Sequence, residues 1–545
     1  MESIIKAMGF LSRSISEPDR LAPIPFETFI KVLSEKPYTV TRNVFQIFYD
    51  MIKEYVGEGE DEYPDDPESI GFVYYDSRRL FVEGADHPFF ADRLFANRLM
   101  KQAEALKRGA QQNKIYIFEG PTGCGKSTFL NNLLIKFEEY TNSKDGLRFE
   151  TVWRLDKRTL GSLPGRDTSP VMMRLCKLLD VPEKDQATFL EQQHGMNSTV
   201  DYIEVPCPSH DNPVLMVPKN LRRQFFDTLL EDDEFKCKLF NEKEYEWVFM
   251  DSPCTICSSL FQVLIDTLEN PNEVYKMIYA KPYRFNRRLG EGISVFNPGD
   301  KPVKNNVIKN DILQKRINNL FDDGKQVKYI YSTYAKTNNG IYALMDIKSH
   351  NTDRLIELHN IISEGLHKVE DIEENVSSLL IALMNPEDKR NIQDIQSLSD
   401  RIEYISIPYV LDLNTEVEIY RKIFGKRIEE DFLPRVLSNF ARVIISSRLS
   451  PRSEGMREWI PNPEKYRIYC DENLQLLKME LYTGHIPTWL SEEDRKSLTA
   501  ARRRRIIGES EKEGSQGFSG RDAIRIFNDF HSRYSKENRL INMSN

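Results

Sequence analysis

Apolar positions along the chain form two patterns, short unbroken runs and helical repeats, and their order predicts the fold. Lys114–Phe118 is a short apolar run rich in β-prone residues, which favours a buried strand. A glycine-rich stretch follows it, from Gly120 to Gly125. Apolar residues then recur on one face of a predicted helix that ends near Tyr140, at Phe129, Leu130, Leu133, Leu134 and Phe137. The sequence therefore predicts a strand, a glycine loop and a helix in immediate succession.

Buried-strand patterns return in the second half of the chain. They cover Ile341–Met345, Ser378–Met384 and Arg401–Pro408, and helical patterns separate them. Strands that alternate with helices favour an α/β fold with a largely parallel sheet. The intervening stretch from 141 to 335 has few strongly periodic segments and several proline turns, which is typical of an insertion.

These patterns predict how the chain is divided. We expect a helical N-terminal segment at 1–95 and an α/β nucleotide-binding core made of 96–140 and 336–413. The insertion would occupy 141–335, and a helical lid or C-terminal domain would occupy 414–545.

Composition and charge narrow the class of protein. The 545 residues carry 75 basic and 84 acidic side chains, a formal charge of −9, which argues against a nucleic-acid groove over the whole surface. The basic run Arg502–Arg505 is interpreted as a solvated helix face, with a local binding patch as the alternative. No apolar run approaches the roughly 20 residues that span a bilayer, so we expect a protein that does not enter membranes. Its seven scattered cysteines fit a reducing compartment, and we therefore expect a cytoplasmic protein.

The glycine-rich stretch fits the phosphate-loop motif G-x-x-x-x-G-K-[ST] at every fixed position. Its glycines let backbone N–H groups converge on phosphate oxygens at the start of the following helix. Lys126 would reach the β and γ phosphates, the Ser127 hydroxyl would ligate Mg²⁺, and Cys124 is a spacer. The alternative is a chance glycine turn. The predicted nucleotide-binding residues are Gly120, Pro121, Thr122, Gly123, Cys124, Gly125, Lys126, Ser127 and Thr128.

A phosphate loop hydrolyses ATP only with a carboxylate on a neighbouring strand. Two runs compete for this role, Trp247–Asp251 and Ile341–Asp346. We favour Asp346, because Asn385 and Arg401 follow it in the order expected of one nucleotide site. The alternative for Asp346 is a helix-capping aspartate.

Three further polar residues are candidates for catalysis. Asn385, at the end of an apolar strand, would position the attacking water, or else it simply opens a turn with the following proline. Arg401 is a candidate arginine finger, for its own site or for the neighbouring subunit's site, or it forms a surface salt bridge. Arg521, at the start of the last amphipathic helix, would reach the γ phosphate from the lid, or it is exposed beside a helix cap.

A second site is predicted from a C-x-x-H and a C-x-x-C. Cys207, His210, Cys254 and Cys257 offer four soft or borderline ligands for a structural, tetrahedral Zn²⁺. The alternatives are buried reduced cysteines with an unrelated histidine, or a redox-active C-x-x-C pair.

Taken in order, these motifs resemble the PrkA family, AAA+ proteins usually named serine protein kinases. The similarity is carried by GPTGCGKST, CPSHDNP at 207–213, CTIC at 254–257, GISVFNPGD at 292–300, GIYALMDIKSHN at 340–351 and DRIEYISIPY at 400–409. The resemblance implies an AAA+ core, ATP with Mg²⁺, assembly into a ring for which a hexamer is a reasonable size, and possible phosphorylation of protein serines. It also implies roles for Lys126 and Ser127 in the phosphate loop, Asp346 in the second acidic motif, Asn385 as first sensor, Arg401 as arginine finger and Arg521 as second sensor.

The sequence departs from the family pattern in two places. Many AAA+ proteins have Asp-Glu at the second acidic motif, but this chain has Met345-Asp346, which argues against brisk hydrolysis. The chain also ends soon after Arg521, whereas longer members continue into a C-terminal domain linked with the kinase name.

Three functions follow as hypotheses. The first is an AAA+ ATPase that remodels or regulates a protein partner, and the second is a serine protein kinase without the H-R-D and D-F-G motifs of eukaryotic kinases. The third is an ATP-dependent switch with negligible turnover.

Overall fold

The computed structural model describes residues 22–61, 73–109, 114–161, 202–300, 307–321, 327–348, 353–390, 400–535 and 540–542. Within these ranges the strands are β1 (Ile24–Pro25), β2 (Glu60–Asp61), β3 (Val73–Tyr74), β4 (Ile115–Glu119), β5 (Phe149–Asp156), β6 (Tyr202–Pro206), β7 (Ile278–Pro282), β8 (Ile293–Phe296), β9 (Val307–Lys309), β10 (Ile330–Ser332), β11 (Ile341–Ile347), β12 (Leu366–Val369), β13 (Ile372–Asn375), β14 (Leu379–Met384) and β15 (Ile402–Ser406).

Helices flank these strands and fill the ends of the chain. Up to β11 they are α1 (Phe26–Glu35), α2 (Pro37–Val40), α3 (Val44–Val56), α4 (Arg78–Phe81), α5 (Arg93–Lys107), α6 (Lys126–Thr141), α7 (Lys157–Gly161), α8 (Arg222–Leu229), α9 (Asp233–Asn241), α10 (Glu246–Met250), α11 (Thr255–Leu268), α12 (Pro271–Lys276), α13 (Asp311–Asn318) and α14 (Thr333–Lys336). After β11 they are α15 (Asp353–Glu357), α16 (His359–Glu364), α17 (Leu413–Phe424), α18 (Val436–Ser446), α19 (Glu454–Trp459), α20 (Gln475–Tyr482), α21 (Glu492–Ser497), α22 (Ala500–Gly508) and α23 (Gly520–Tyr534).

The core sheet is parallel and has the order β15-β4-β14-β11-β8 among the described strands. Its strands are apolar because both faces are covered. On one face Tyr116 and Phe118 pack with Phe129 of α6 and with α3 and α5. On the other face Ile115 and Ile117 pack with α15 and α16. Each fully buried aromatic or aliphatic side chain contributes roughly 1.5–3 kcal/mol to this packing. The predicted parallel α/β core and the predicted strands at 114–118, 341–345, 378–384 and 401–408 are confirmed.

The core sheet takes one strand from the range predicted as an insertion. Ile293–Phe296 pairs in parallel with β11, so that Ile293 lies beside Ile341 and Phe296 beside Leu344. The boundary of the insertion at 335 therefore differs from the structure. A run of four residues is too short for its periodicity to separate a core strand from a loop.

A second, antiparallel sheet has the order β1-β7-β5-β6 and joins residues far apart in the chain. Its hydrophobic cluster includes Phe26 and Phe29 of α1 as well as Trp153 of β5. The predicted N-terminal segment 1–95 is consequently divided between the two sheets, since α1 packs on the second sheet whereas α3 packs on the core sheet. Apolar periodicity predicts that a helix is amphipathic, but not which surface covers it.

The C-terminal helices α17 to α23 surround their own hydrophobic cluster. Inside it, Arg448 forms an ion pair with Glu416 at 2.7 Å, and both side chains are at most 2% exposed. The same guanidinium donates to the carbonyl oxygens of Val410 and Phe518. Arg448 thus ties the exit from the core sheet to the residues that precede α23, and removal of one partner of such a buried pair costs about 3–5 kcal/mol.

Within the described ranges, no single helix combines the length and apolar composition needed to cross a bilayer. Lys243–Met250 and Thr255–Leu268 meet the criterion only together, and they are bent by 44° relative to each other.

Candidate functional site

The phosphate loop joins β4 to α6 and depends on three glycines. Gly123 and Gly125 adopt positive φ angles of 85° and 94°, which side chains other than glycine rarely tolerate. A Cβ atom on Gly120 would lie 2.1 Å from the carbonyl oxygen of Ile407, so this glycine permits a close approach of two backbones. α6 then begins at Lys126, and its first turn directs backbone N–H groups toward the loop.

Lys126 is folded back onto the loop. Its Nζ donates hydrogen bonds to the carbonyl oxygens of Gly120 at 2.6 Å and Pro121 at 3.0 Å. Because phosphate oxygens can replace both carbonyls as acceptors, nucleotide binding would exchange these bonds. Ser127 is exposed on the first turn of α6, where its hydroxyl is accessible to a bound ion. Burial raises the pKa of the Cys124 thiol, which fits a spacer and not a nucleophile.

Asp346 and Asn385 lie at the carboxyl ends of two core strands. Asn385 directly follows β14, which is paired with β4, and Asp346 lies near the end of β11, which is paired with β14. Strand ends of a parallel sheet meet at one edge, so both residues share the edge at which β4 enters the phosphate loop. Asp346 has a φ of 73° at an irregularity in the pairing of β11, and its Oδ2 lies 3.4 Å from Lys348 Nζ. This strained backbone position is of a kind that clusters at functional sites.

The competing carboxylate, Asp251, is in a different environment. Residues 246–250 form a short helix, so Asp251 follows a helix and not a strand of the core sheet. The backbone carbonyl of Asp251 accepts a hydrogen bond from the buried Arg222. The choice of Asp346 over Asp251 as the residue beside the phosphate loop agrees with this geometry.

Arg401 lies at the opposite edge of the core sheet. It precedes β15, whose residues Ile402 to Ser406 pair in register with Ile115 to Glu119 of β4. At about 3.3 Å per residue, the strand separates Arg401 from Gly120 by about 20 Å, more than an arginine side chain can reach. The guanidinium donates to Nε2 of His359 at 2.9 Å. Arg401 therefore cannot serve the phosphate loop of its own chain.

The N-terminus of α23 lies directly against the phosphate loop. A Cβ atom on Gly123 would lie 3.3 Å from Ser519 Cβ and 3.8 Å from Arg521 Cδ. Ser519 caps α23 in a capping box with Asp522, so the geometry of this helix start is fixed locally. Two helix N-termini, those of α6 and α23, thus face one loop, and each provides a partial positive charge that favours an anion.

Tyr409 was missed by the sequence analysis. Its hydroxyl donates to the carbonyl oxygen of Thr122 at 2.9 Å, and its backbone N–H donates to Gly514. It therefore links the phosphate loop to the segment before α23. The only sequence signal is its place just after β15, because an isolated tyrosine has no characteristic spacing.

The cysteines predicted to bind a metal do converge, but the fourth ligand differs. Among the described residues, Cys207, Asp211, Cys254 and Cys257 place one ligand atom each within 4.8 Å of one another, and all four are buried. His210 faces away. Its Nδ1 lies 2.5 Å from Glu150 Oε2, its Nε2 lies 3.1 Å from the Lys336 carbonyl oxygen, and its ring stacks on Tyr283.

The backbone conformation at the turn explains why Asp211, and not His210, lies with the three cysteines. His210 adopts a φ of 52°, which turns its side chain outward and leaves the next residue, Asp211, facing the sulfurs. Asp211 also accepts from the backbone N–H of Cys254 at 2.7 Å, and its own N–H donates to Cys207 Sγ at 3.3 Å. The sequence signal that could have found Asp211 is its position directly after His210.

The cluster has the chemistry of a cation site. Cys207 Sγ and Cys254 Sγ are 3.7 Å apart, and two thiolates on a tetrahedral Zn²⁺ at about 2.3 Å would lie about 3.8 Å apart. Burial raises the pKa of Cys207, Cys257 and Asp211 well above their ordinary values. For Cys254, burial is outweighed by hydrogen bonds from the other two thiols, which hold its pKa well below its ordinary value. A divalent cation would favour the ionised form of every ligand at once.

Comparison with known proteins supports the core assignment. The model of the PrkA AAA domain matches residues 254–455, and the model of the PrkA serine protein kinase C-terminal domain matches residues 476–545. The first match includes β8, β11, β14 and β15, whereas the phosphate loop lies before it. The second match includes Arg521, so a C-terminal domain linked with the kinase name is present after all.

A search of curated proteins finds no match to the chain. The two domain models together reach from residue 254 to residue 545, in the order that the sequence resemblance implies. The AAA domain is a nucleotide-binding domain, and the phosphate loop follows β4, which belongs to the same sheet as the matched strands. The chain therefore belongs to the PrkA family and is an AAA-type nucleotide-binding protein.

Proposed function

We propose that the protein is an ATPase that couples ATP binding and hydrolysis to the regulation or remodelling of a protein partner. One observation carries this proposal: the phosphate loop, Asp346 and Asn385 lie at the same edge of the parallel sheet, on strands β4, β11 and β14. This is the arrangement in which a carboxylate and an amide can act on the terminal phosphate of a nucleotide held by the loop.

Each residue has a defined task in the proposed reaction. Lys126 leaves the carbonyl oxygens of Gly120 and Pro121 and donates to the phosphates, where its charge stabilises the transition state. Asn385 orients the attacking water through its side-chain amide. Ser127 and Asp346 would hold Mg²⁺, which neutralises phosphate charge when bound. Arg521 closes over the loop with the C-terminal helices acting as a lid.

The position of Arg401 favours assembly. Because it lies about 20 Å of strand away from its own phosphate loop, it can act as a finger only in a neighbouring subunit. Contacts of this head-to-tail kind generate closed rings when the rotation closes. We therefore propose a homo-oligomeric ring, for which a hexamer is a reasonable size.

A mixing experiment tests hydrolysis and assembly together. Lys126→Ala and Arg401→Ala should each abolish ATP turnover, but a 1:1 mixture should regain it in about one quarter of the sites, where an intact loop meets an intact finger. Turnover is measured with the mass of the assembly, with and without ATP. No recovery in the mixture, or a monomer that turns over ATP at the wild-type rate, would contradict the ring.

Asp346→Asn separates an ATPase from a switch. If Asp346 supports the chemical step, the variant should lose about 10²-fold or more in phosphate release while ATP affinity changes by only a few fold. Met250→Leu, far from the loop on α10, is a matched control. A switch with negligible turnover would show no difference between Asp346→Asn and the parent.

Serine kinase activity is the second candidate, because residues 476–545 match the C-terminal domain of PrkA serine protein kinase. A loop of this kind could present a serine hydroxyl in place of water. Labelled γ-phosphate should then appear on serine of a partner protein and disappear with Lys126→Ala. Label found only in free phosphate would exclude transfer.

The cysteine cluster is assigned a structural Zn²⁺ held by Cys207, Asp211, Cys254 and Cys257. The burial of all four ligands and the 3.7 Å separation of two of the sulfurs support this assignment. Four protein ligands leave no open position for a substrate.

A further inference from the structure

A cavity of 590 Å³ lies between the N-terminal helices and the C-terminal helices, apart from both sites described above. Its walls include Tyr49 and Lys53 from α3, Arg98 from α5, and Arg503 and Arg504 from α22. None of the described residues that line it belongs to the phosphate loop or to the cysteine cluster. Its volume falls in the range of about 300–1,000 Å³ that is usual for small-ligand sites.

The charge of this cavity is opposite to that of the chain. Among the described residues, five basic side chains line it and two acidic ones, Glu104 and Glu511, whereas the whole chain carries a formal charge of −9. The basic residues are Lys53, Lys101, Arg98, Arg503 and Arg504.

Arg98 is the central observation. Its Nε is shielded from solvent and has no hydrogen-bond partner among the described residues. Burial lowers the pKa of Arg98 from its ordinary value, although Asp92 and Glu511 attract the charge. A shielded N–H group without an acceptor destabilises the folded state unless another group supplies one.

The remaining lining contributes flat and apolar surface. The lining also includes the aromatic side chains of Tyr49 and Tyr75 and the aliphatic side chains of Leu94 and Ile507. Arginines that converge from separate helices offer planar pairs of N–H donors, which match phosphate oxygens better than single carboxylates. A cavity of this size matches a small molecule.

We propose that this cavity binds a polyphosphate group, either free or as part of a nucleotide-sized organic anion. The guanidinium of Arg98 contacts the phosphates from below, and Arg503 and Lys101 contact them from the two walls. An occupant bridges α5, which leads into β4 and the phosphate loop, and α22, which precedes α23. The site stands on the cavity and on the unsatisfied Arg98, and it does not depend on whether the protein hydrolyses ATP.

The test uses the full chain in a Lys126→Ala background, so that the phosphate loop does not compete for the probe. Pyrophosphate is titrated by calorimetry into this parent and into the same protein carrying Arg98→Gln or Arg503→Gln. Arg505→Gln is the matched control, because Arg505 lies on the same helix but outside the cavity, where it pairs with Glu458 and Glu454. We expect each cavity variant to bind at least tenfold more weakly and the control to stay within twofold of the parent.

A second titrant identifies the source of the phosphate. If guanosine diphosphate binds more tightly than pyrophosphate and its binding depends on Arg98 in the same way, the ligand is an organic anion whose ring contacts Tyr49 and Tyr75. Equal affinity for the two probes indicates an inorganic polyphosphate. Failure of both probes to bind at millimolar concentration, or an equal loss with Arg505→Gln, overturns the proposal.

The Nε of Arg98 is shielded from solvent, so the replacement of Arg98 is also checked for folding. Without ligand, Arg98→Met should have a melting temperature equal to or above that of the parent, because it removes a shielded N–H group that lacks an acceptor. The parent should gain melting temperature with pyrophosphate, and Arg98→Met should not. A variant that melts well below the parent yet keeps the pyrophosphate affinity would show that Arg98 is a packing residue, which overturns the site.

Discussion

The phosphate loop and the cysteine cluster are both built on tight turns, but they differ in how their polar groups are satisfied. In the loop, Lys126 donates to backbone carbonyl oxygens, and the carbonyl oxygen of Thr122 accepts from Tyr409. A ligand can replace these contacts one by one. The ligand atoms of the cluster contact one another inside the protein, and all four residues are buried. The loop is thus suited to reversible binding of a ligand, whereas the cluster is suited to an ion that remains bound.

This difference means that substitutions in the two regions should affect different measurements. Changes in the loop should alter nucleotide binding and turnover with little effect on stability. Changes in the cluster should alter stability first, since burial leaves an unsatisfied ligand with no access to water.

Lys126→Ala is the substitution with the largest expected effect. It removes the charge that stabilises the transferring phosphate, so kcat/KM for ATP should fall by about 10³-fold. The melting temperature should change little, because the hydrogen bonds of the lysine connect it only to its own loop, at Gly120, Pro121 and Cys124. Lys136→Ala is the control, since Lys136 lies on the same helix, where it pairs with Glu139 at 2.8 Å and lies over the ring of Tyr55. A loss of turnover explained by unfolding, seen as a large drop in melting temperature, would contradict this interpretation.

Cys254→Ser tests the cysteine cluster, the second of the two regions compared. Loss of the structural ion should lower the free energy of unfolding by about 3 kcal/mol or more and the melting temperature by roughly 10 °C. Zinc content by mass spectrometry should fall from one per chain to near zero. Cys237→Ser, at an exposed cysteine on α9, should leave both quantities unchanged. Full zinc content in Cys254→Ser would mean that the cluster does not hold the metal.

Asp211→Asn and His210→Ala sharpen the comparison inside the cluster. Because Asp211 faces the sulfurs and His210 faces Glu150, only the first change should weaken metal affinity, by about 10–100-fold. Competition with a chelator of known affinity measures the difference. The reverse ranking of the two variants would restore His210 as the ligand.

Tyr409→Phe should give the smallest effect. It removes one hydrogen bond to Thr122, worth about 0.5–1.5 kcal/mol, so ATP affinity should change by no more than about tenfold. Equilibrium binding of a fluorescent ATP analogue measures the change, and Tyr469→Phe on the exposed surface is the control. An effect as large as that of Lys126→Ala would mean that Tyr409 contacts the nucleotide itself.

Local patterns predicted the parts of the core whose signals are continuous. The strand before Gly120, the helix after Gly125 and the three later strands appear where apolar runs predict them. The competing run Trp247–Asp251 lies largely in a short helix, and five residues of this kind fit a strand and a short helix equally well. Ile293–Phe296 was missed as a core strand because its pairing with β11 depends on residues 45 or more positions away.

The candidate sites were predicted unevenly for a related reason. Sequence motifs name residues but do not orient them. The choice between His210 and Asp211 depended on one positive φ angle, and no spacing rule contains that information. Tyr409 and the cavity beside Arg98 had no motif at all, since their residues come from separate helices.

The sequence by itself determined that this protein has a phosphate loop between a buried strand and a helix, because the consecutive residues from Lys114 to Phe137 carry both the motif and its flanking periodicity. Only the tertiary structure decided that Asp346 and Asn385 share the edge of that loop, that Arg401 lies at the other edge, and that Asp211 joins the cysteines. These relations depend on strand order, register and one backbone angle. They arise when distant segments pack against each other, which is why no local pattern specifies them.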